Sequence, residues 1–365
     1  MATKKLSVLV VDDTTVYRMI LRTIVESIPG VELGGFAANG SLALQKMARL
    51  PVDVILLDVE MPVMDGLTTL KHLAEKYPDV TVIMVSGVSH SNANIIVECL
   101  SAGALDFITK PLGNDIEHAK KELLDGLTPI FEMLIQKSGS PGKTVKIGKS
   151  VETARRVTPP PAIAKKPLPS KNINFRPELV LIGSSTGGPI ALDKVLSGFS
   201  RKPTIPVLVV QHMPPLFTAS LAIQLSKKTG IQVQEGSDGQ KIKPGGVILA
   251  AGGQHMTVKK IASGMVVKLT DGPKINGCRP AVDMLFMSVA AALPKSILTV
   301  ILTGMGKDGA NGVKALKSSI KTYCITQNKA SCVVYGMPRA TDELGLSDES
   351  IHLDLIGKRI SELCF

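Results

Sequence analysis

At 365 residues, 44% hydrophobic and 20% charged, the chain is long enough for two buried cores and has the composition of a globular protein. An aromatic content of 3% with no tryptophan argues against a ring-stacking platform for nucleic acid or carbohydrate. Five scattered cysteines without C-x-x-C spacing argue against a disulfide frame or a zinc site, and the formal charge of +11 has to be located before it can suggest an anionic partner.

Met1–Lys5 is polar and leads straight into an apolar strand, which predicts no signal peptide. From Leu6 to about Gln136, short apolar runs alternate with segments of helical spacing. Strands are expected at Leu6–Val11, Val31–Phe36, Val54–Leu57, Val80–Val85 and Leu105–Ile108, with helices at Val16–Ile28, Ser41–Leu50, Gly66–Tyr77 and Asn92–Ala102. That alternation predicts an open parallel sheet with helices on both faces and its functional groups beyond the carboxyl ends of the strands. Asp12 and Asp13, Asp58, Ser86, and Lys110 all fall at such ends. Three carboxylates beside a hydroxyl and a lysine suit a hard cation such as Mg²⁺ next to a phosphoryl group.

Between Lys137 and Lys171, nine basic residues face a single acid, Glu152, a net +8 in a stretch that also carries Pro159-Pro160-Pro161, Pro167 and Pro169. Such a segment buries no core and reads as a solvated tether. Most of the basic charge therefore belongs to a linker, and neither a nucleic-acid partner nor membrane insertion is expected. No apolar run approaches the roughly 20 residues of a membrane span, so the expected location is the cytoplasm.

Beyond the tether, strands are expected at Leu179–Ile182, Ile205–Val210, Val247–Ala250, Ser296–Leu302 and Lys321–Thr326. Helices are expected at Ile190–Leu196, Leu216–Lys228, Ala281–Leu293 and Asp308–Lys317, and a hairpin pairs Thr257–Lys260 with Gly264–Thr270. Gly183-Ser184-Ser185-Thr186-Gly187 fits G-x-S-x-G, a serine on a strand-to-helix turn. It lacks the glycine spacing and the lysine of a phosphate-cradling loop. Ser185, His212 and Asp308 each follow a strand, so parallel strands deliver a nucleophile, a base and an acid to one rim. His255 also follows a strand, and spacing alone leaves the choice of base open between it and His212. The order serine, histidine, acid differs from the serine, acid, histidine of α/β-hydrolases.

Two resemblances are carried by longer motifs. Val10-Val11-Asp12-Asp13, Leu57 to Gly66 and Asp106-Phe107-Ile108-Thr109-Lys110-Pro111 resemble a response-regulator receiver domain. That resemblance implies Asp58 as phosphoacceptor, Mg²⁺ held by Asp12, Asp13, Asp58 and the Glu60 main-chain carbonyl, and Ser86 and Lys110 as the groups that meet the phosphoryl oxygens. Gly183 to Pro189, Gln211-His212-Met213-Pro214, Asn276 to Asp283 and Leu302 to Ala310 resemble the chemotaxis protein-glutamate methylesterases. This implies Ser185 as nucleophile, His212 as general base, Asp308 as its orienting acid and the Met305 main-chain N–H as oxyanion donor, with no cofactor for the hydrolase and His255 outside the chemistry. The implied substrates are methyl-accepting chemotaxis receptors, with glutamine deamidation alongside demethylation and a chemotaxis histidine kinase as phosphodonor. The expected architecture is two doubly wound parallel-sheet α/β domains, a flavodoxin-like receiver at 1–136 and a Rossmann-like methylesterase domain at 175–365, joined by a flexible basic linker at 137–174.

Overall fold

The computed structural model describes residues 5–87, 89–111, 115–138 and 175–365; the stretch read as a tether lies outside the described residues from 139 onward. The amino-terminal unit runs β1 (Leu6–Val11), α1 (Thr15–Ser27), β2 (Val31–Ala37), α2 (Gly40–Met47), β3 (Val54–Asp58), α3 (Gly66–Lys76), β4 (Thr81–Gly87), α4 (His90–Ala102), β5 (Asp106–Lys110) and α5 (Ile116–Ser138). Its strands pair in parallel in the order β2-β1-β3-β4-β5. Every residue of β3, Val-Ile-Leu-Leu-Asp, is buried because helices cover both faces, which is why the run does not alternate with polar residues. Each such aliphatic side chain contributes about 1.5–3 kcal/mol on burial. On α1 the buried residues Ile20, Leu21, Ile24 and Val25 repeat at helical spacing along one stripe. Asp65 starts α3 by accepting the Thr68 N–H at 2.7 Å.

The carboxyl-terminal unit begins with β6 (Leu179–Ser184), α6 (Gly188–Ser197), β7 (Val207–Gln211), α7 (Phe217–Thr229), β8 (Val233–Glu235) and β9 (Val247–Leu249). An antiparallel hairpin follows, β10 (His255–Ile261) with β11 (Gly264–Thr270). The remainder is α8 (Val282–Ala292), β12 (Ser296–Ile301), α9 (Ala310–Ser319), β13 (Lys321–Gln327), α10 (Met337–Glu343), β14 (Glu349–Ile351) and α11 (Leu353–Cys364). Seven parallel strands form one sheet in the order β14-β13-β12-β6-β7-β9-β8. Helices flank both sheets, so the chain holds two doubly wound α/β units, as expected. The sheet is wider than the sequence suggested, since β8 and β14 have three residues each and no counterpart in the expected strands.

The two units pack through α4 and β5 of the first and α6 and α7 of the second. One apolar cluster runs across the seam, including Ile96 and Leu100 on one side and Leu192, Phe217 and Leu221 on the other. The Phe107 ring lies 4.6 Å from that of Phe217, centroid to centroid, tilted by 34°. Lys137, near the end of α5, donates to the Val333 carbonyl.

Candidate functional site

In the first sheet the strand order reverses between β1 and β3, opening a crevice at their carboxyl ends. Asp12 and Asp13 follow β1 and Asp58 closes β3; their carboxylate oxygens lie within 4.8 Å of one another, with Asp12 and Asp58 buried and Asp13 exposed. Lys110, closing β5, brings Nζ to 2.6 Å from Asp58 Oδ2 and 2.7 Å from Asp12 Oδ2. The same ammonium lies 4.5 Å from the centre of the Tyr17 ring. Burial pushes the Asp58 carboxyl up to about 6; Lys110 opposes this and the Asp12 charge adds to it. Burial disfavours charge on Lys110, but Asp58 and Asp12 together hold its ammonium above the usual range. Asp12 Oδ2 is buried and, although close to Lys110, has no aligned hydrogen bond. An oxygen-only donor set with one under-bonded oxygen and one exposed carboxylate fits a hard divalent cation. Glu60 is exposed just past β3, beside Asp13 on a groove also lined by Val59, Met61 and Pro62. Ser86 is buried near the end of β4, in register with Thr109; its hydroxyl donates to the Gly87 carbonyl at 3.3 Å.

In the second sheet the reversal falls between β12 and β6. Ser185 follows β6, His212 follows β7, and the loop Thr303–Asp308 follows β12, so all three strand exits meet at the switch point, where ligands bind in open α/β sheets. His212 Nε2 and Asp308 Oδ2 are 2.8 Å apart, with side chains 9% and 2% exposed. Burial works against charge on the imidazole, but the Asp308 hydrogen bond and the neighbouring Cys278 sulfur push its pKa up to about 9. Burial likewise works against the Asp308 carboxylate, yet His212 and two main-chain amides hold it below its usual range. His255, by contrast, is fully buried, with Nε2 2.9 Å from the Pro273 carbonyl and, among the described residues, no carboxylate partner. The two histidines that spacing could not separate are thus distinguished by their neighbours.

Asp308 has a second task. Its Oδ2 accepts the Val282 N–H at 2.6 Å and its Oδ1 the Asp283 N–H at 3.1 Å, so it caps α8. Asp283 Oδ1 returns the favour to α9, accepting the Gly309 N–H at 2.9 Å and the Gly312 N–H at 2.7 Å. Asn276 Nδ2 spans the pair, donating to Asp308 Oδ1 at 3.2 Å and Asp283 Oδ2 at 3.4 Å. Burial raises the Asp283 carboxyl, with the Asp308 charge adding to the shift and the two glycine amides opposing it. Sequence reasoning gave Asn276 and Asp283 no role. An acid in the first turn after Pro280-Ala281 is a helix-start signal that points to Asp283.

Ser185 is half-buried, and its N–H donates to the Thr303 carbonyl at 3.1 Å. Among the described residues its hydroxyl makes no hydrogen bond, and the Met305 N–H has no acceptor. A Cβ on Gly304 would fall 2.8 Å from the Ser185 Cβ, so a glycine is what lets this loop approach the serine. The receiver-like unit meets the same rim. Thr186, next to Ser185, donates its hydroxyl to Asp106 Oδ2 of β5. The Met305 and Val333 side chains pack against the apolar cluster built on α1 and α5. Burial at this seam raises the Asp106 carboxyl above its usual range, against the Thr186 and Phe107 hydrogen bonds.

A sheet with a lysine-paired acidic rim, docked on a second sheet with a serine, histidine and aspartate at its switch point, defines a response regulator fused to an enzyme domain. The family model described as CheB methylesterase matches residues 180–360, and that of the response regulator receiver domain matches 8–120. The protein-glutamate methylesterase/protein-glutamine glutaminase of Desulfotalea psychrophila is 38% identical over 363 residues, covering 98% of each chain. Its counterpart in Halalkalibacterium halodurans is 39% identical over 360 residues, covering 99% of each. The Thermotoga maritima CheB methylesterase catalytic domain, a crystal structure, is 39% identical over 51% of this chain and 98% of that one, with a TM-score of 0.49. The chain belongs to the protein-glutamate methylesterase/protein-glutamine glutaminase family.

Proposed function

We propose that the chain is a receiver-controlled serine hydrolase that removes methyl groups from glutamate methyl esters on methyl-accepting chemotaxis receptors and deamidates receptor glutamines. The observation that carries this reading is the buried His212–Asp308 pair at the strand exit next to that of Ser185. Residues 175–365 act as the catalytic domain, 1–136 as the receiver and 137–174 as the tether, in a cytoplasmic protein. Among the described residues no helix is long and apolar enough to cross a membrane.

Asp308 holds the Nε2–H of His212, which leaves Nδ1 as the nitrogen that takes the Ser185 proton. Ser185 Oγ attacks the side-chain carbonyl of the glutamyl ester, and the oxyanion is received by the Met305 N–H. His212 returns its proton to the departing methanol, or to ammonia from a glutamine. Water, deprotonated by the same imidazole, then releases the glutamyl group and restores Ser185. A histidine–serine hydrogen bond that is absent without substrate commonly tightens in the substrate complex.

Control runs through the receiver. Asp58 accepts the phosphoryl group from a chemotaxis histidine kinase, and Lys110 and Ser86 meet its oxygens. Asp12, Asp13, Asp58 and the Glu60 carbonyl would hold Mg²⁺, which when bound neutralises phosphoryl charge. The phosphoryl group adds about 1.5–2 negative charges at this rim, and the rearrangement of Lys110 and Ser86 loosens the β5 face from the Ser185 turn. The test is methanol release from methylated receptor: Ser185→Ala abolishes it, and release that persisted in that variant would disprove the nucleophile.

A further inference from the structure

Gln211 precedes His212 on β7 and stands in register with Ser184 on β6. Its side chain is 3% exposed and makes three hydrogen bonds, all to the two strand exits that carry the reactive residues. Oε1 accepts from the Ser184 hydroxyl at 2.7 Å. Nε2 donates to the Ser185 carbonyl at 3.0 Å and to the His212 carbonyl at 3.2 Å. The amide orientation follows from chemistry, since the reversed amide would set Oε1 against two carbonyl oxygens. The β6–β7 ladder ends with the His212 N–H donating to the Ser184 carbonyl at 3.1 Å. Beyond that point, Gln211 is the link that continues the pairing.

We infer that Gln211 is a positioning residue for the hydrolase, a side-chain rung that fixes the separation of Ser185 and His212. The inference rests on the proposed roles of those two residues and goes beyond them. The space around the amide is cut to fit: a Cβ on Gly188, at the start of α6, would fall 1.9 Å from Gln211 Oε1. Gly188 is therefore glycine because Gln211 occupies that volume, and an alanine there displaces the rung. No shorter or singly functional side chain makes the same three bonds. Asparagine is one methylene short, and glutamate has no hydrogen for either carbonyl.

The test uses the full chain treated with acetyl phosphate and methylated receptor as substrate. A misplacement of about 1 Å between reacting groups costs about 10²-fold, so Gln211→Glu and Gln211→Met each lose that much in kcat while KM changes by no more than about twofold. Phosphonylation of Ser185 by a fluorophosphonate probe slows in proportion, and Gln211→Asn falls between these variants and the wild type. Gly188→Ala shows a similar loss alone and adds less in a Gln211→Ala background, because the Gln211 amide it collides with is gone and only the milder approach to the Ser184 Cβ, at 3.0 Å, remains. Thermal unfolding identifies any variant that fails to fold, and Gln211→Met and Gln211→Asn serve if the glutamate variant does. Undiminished kcat in folded Gln211→Met, or full additivity of the Gly188 and Gln211 substitutions, would overturn the positioning role alone. Probe attachment to a wild-type residue other than Ser185 would overturn the nucleophile assignment and this inference with it.

Discussion

Phe107→Ala tests whether the seam between the two units holds the esterase in check. The Phe107 ring is half-buried at the end of the receiver-like sheet, stacked at 4.6 Å on Phe217, which is fully buried at the start of α7. An aromatic pair contributes about 0.5–1.5 kcal/mol beyond burial, and covering about half of a phenylalanine side chain adds about 1 kcal/mol. Truncation therefore removes about 2 kcal/mol from docking, which shifts the closed-to-open equilibrium about 30-fold. Because the tethered domains meet without a concentration term, that shift appears directly in the unphosphorylated rate. Methanol release by Phe107→Ala without phosphodonor should rise towards the acetyl-phosphate-stimulated rate of the wild type, and added acetyl phosphate should do little more. Asp58→Asn supplies the opposite control, a chain that acetyl phosphate cannot stimulate. An unstimulated Phe107→Ala rate equal to that of the wild type, in a protein with unchanged circular dichroism, would refute the view that this contact restrains Ser185.

Asp308→Asn should lower kcat by about 10⁴-fold, the scale seen when the acid of such a triad loses its charge. The His212 shift has a definite sign. With a pKa of about 9 in this docked form, above the ordinary 6.5, the His212–Asp308 pair adds stability that is complete below pH 6.5 and is lost as pH rises through about 9. Basal esterase activity, which in the proposed mechanism needs a neutral imidazole, should climb as pH passes through about 9, and Asp308→Asn should move that rise to lower pH while removing the pair's contribution to stability. Asp106→Asn takes a titrating carboxyl out of the seam. Since docking raises the Asp106 pKa, docking takes up a proton and weakens as pH climbs from the ordinary carboxylate range through the raised value. The asparagine chain should thus show a lower unstimulated rate than wild type at neutral pH, with a flatter pH profile; a higher rate would reverse the sign of the argument.

The sequence made the two sheets legible because strands such as β3 and β6 are buried on both faces and read as unbroken apolar runs. It did not reveal β8 and β14, three-residue strands that are mostly polar, and α5 went unassigned around Pro129 although Leu123, Leu127, Ile130 and Phe131 are buried along one stripe. The rim residues were legible for a topological reason: a parallel sheet sends every strand end the same way, so Ser185, His212 and Asp308 could be grouped without knowing strand order. Strand order was needed to see that the switch point lies between β12 and β6. The contacts that hold the site together were hidden, because Gln211, Asn276 and Asp283 act through hydrogen bonds between segments far apart in the chain. The packing of β5 against the Ser185 turn was equally out of reach, since nothing in Asp106-Phe107 distinguishes a residue facing solvent from one facing another domain.

The crossed caps of Asp283 and Asp308 have a consequence for reading related chains. Because Asp308 closes the first turn of α8, its loss would loosen a helix as well as silence an imidazole, whereas Ser185 is tied to the fold through its main chain alone. A descendant that abandoned ester hydrolysis would be free to exchange the serine while selection for folding still retained the aspartate. Presence of that acid in a relative is therefore weak testimony to activity, and the serine hydroxyl, which nothing structural requires, is the informative letter.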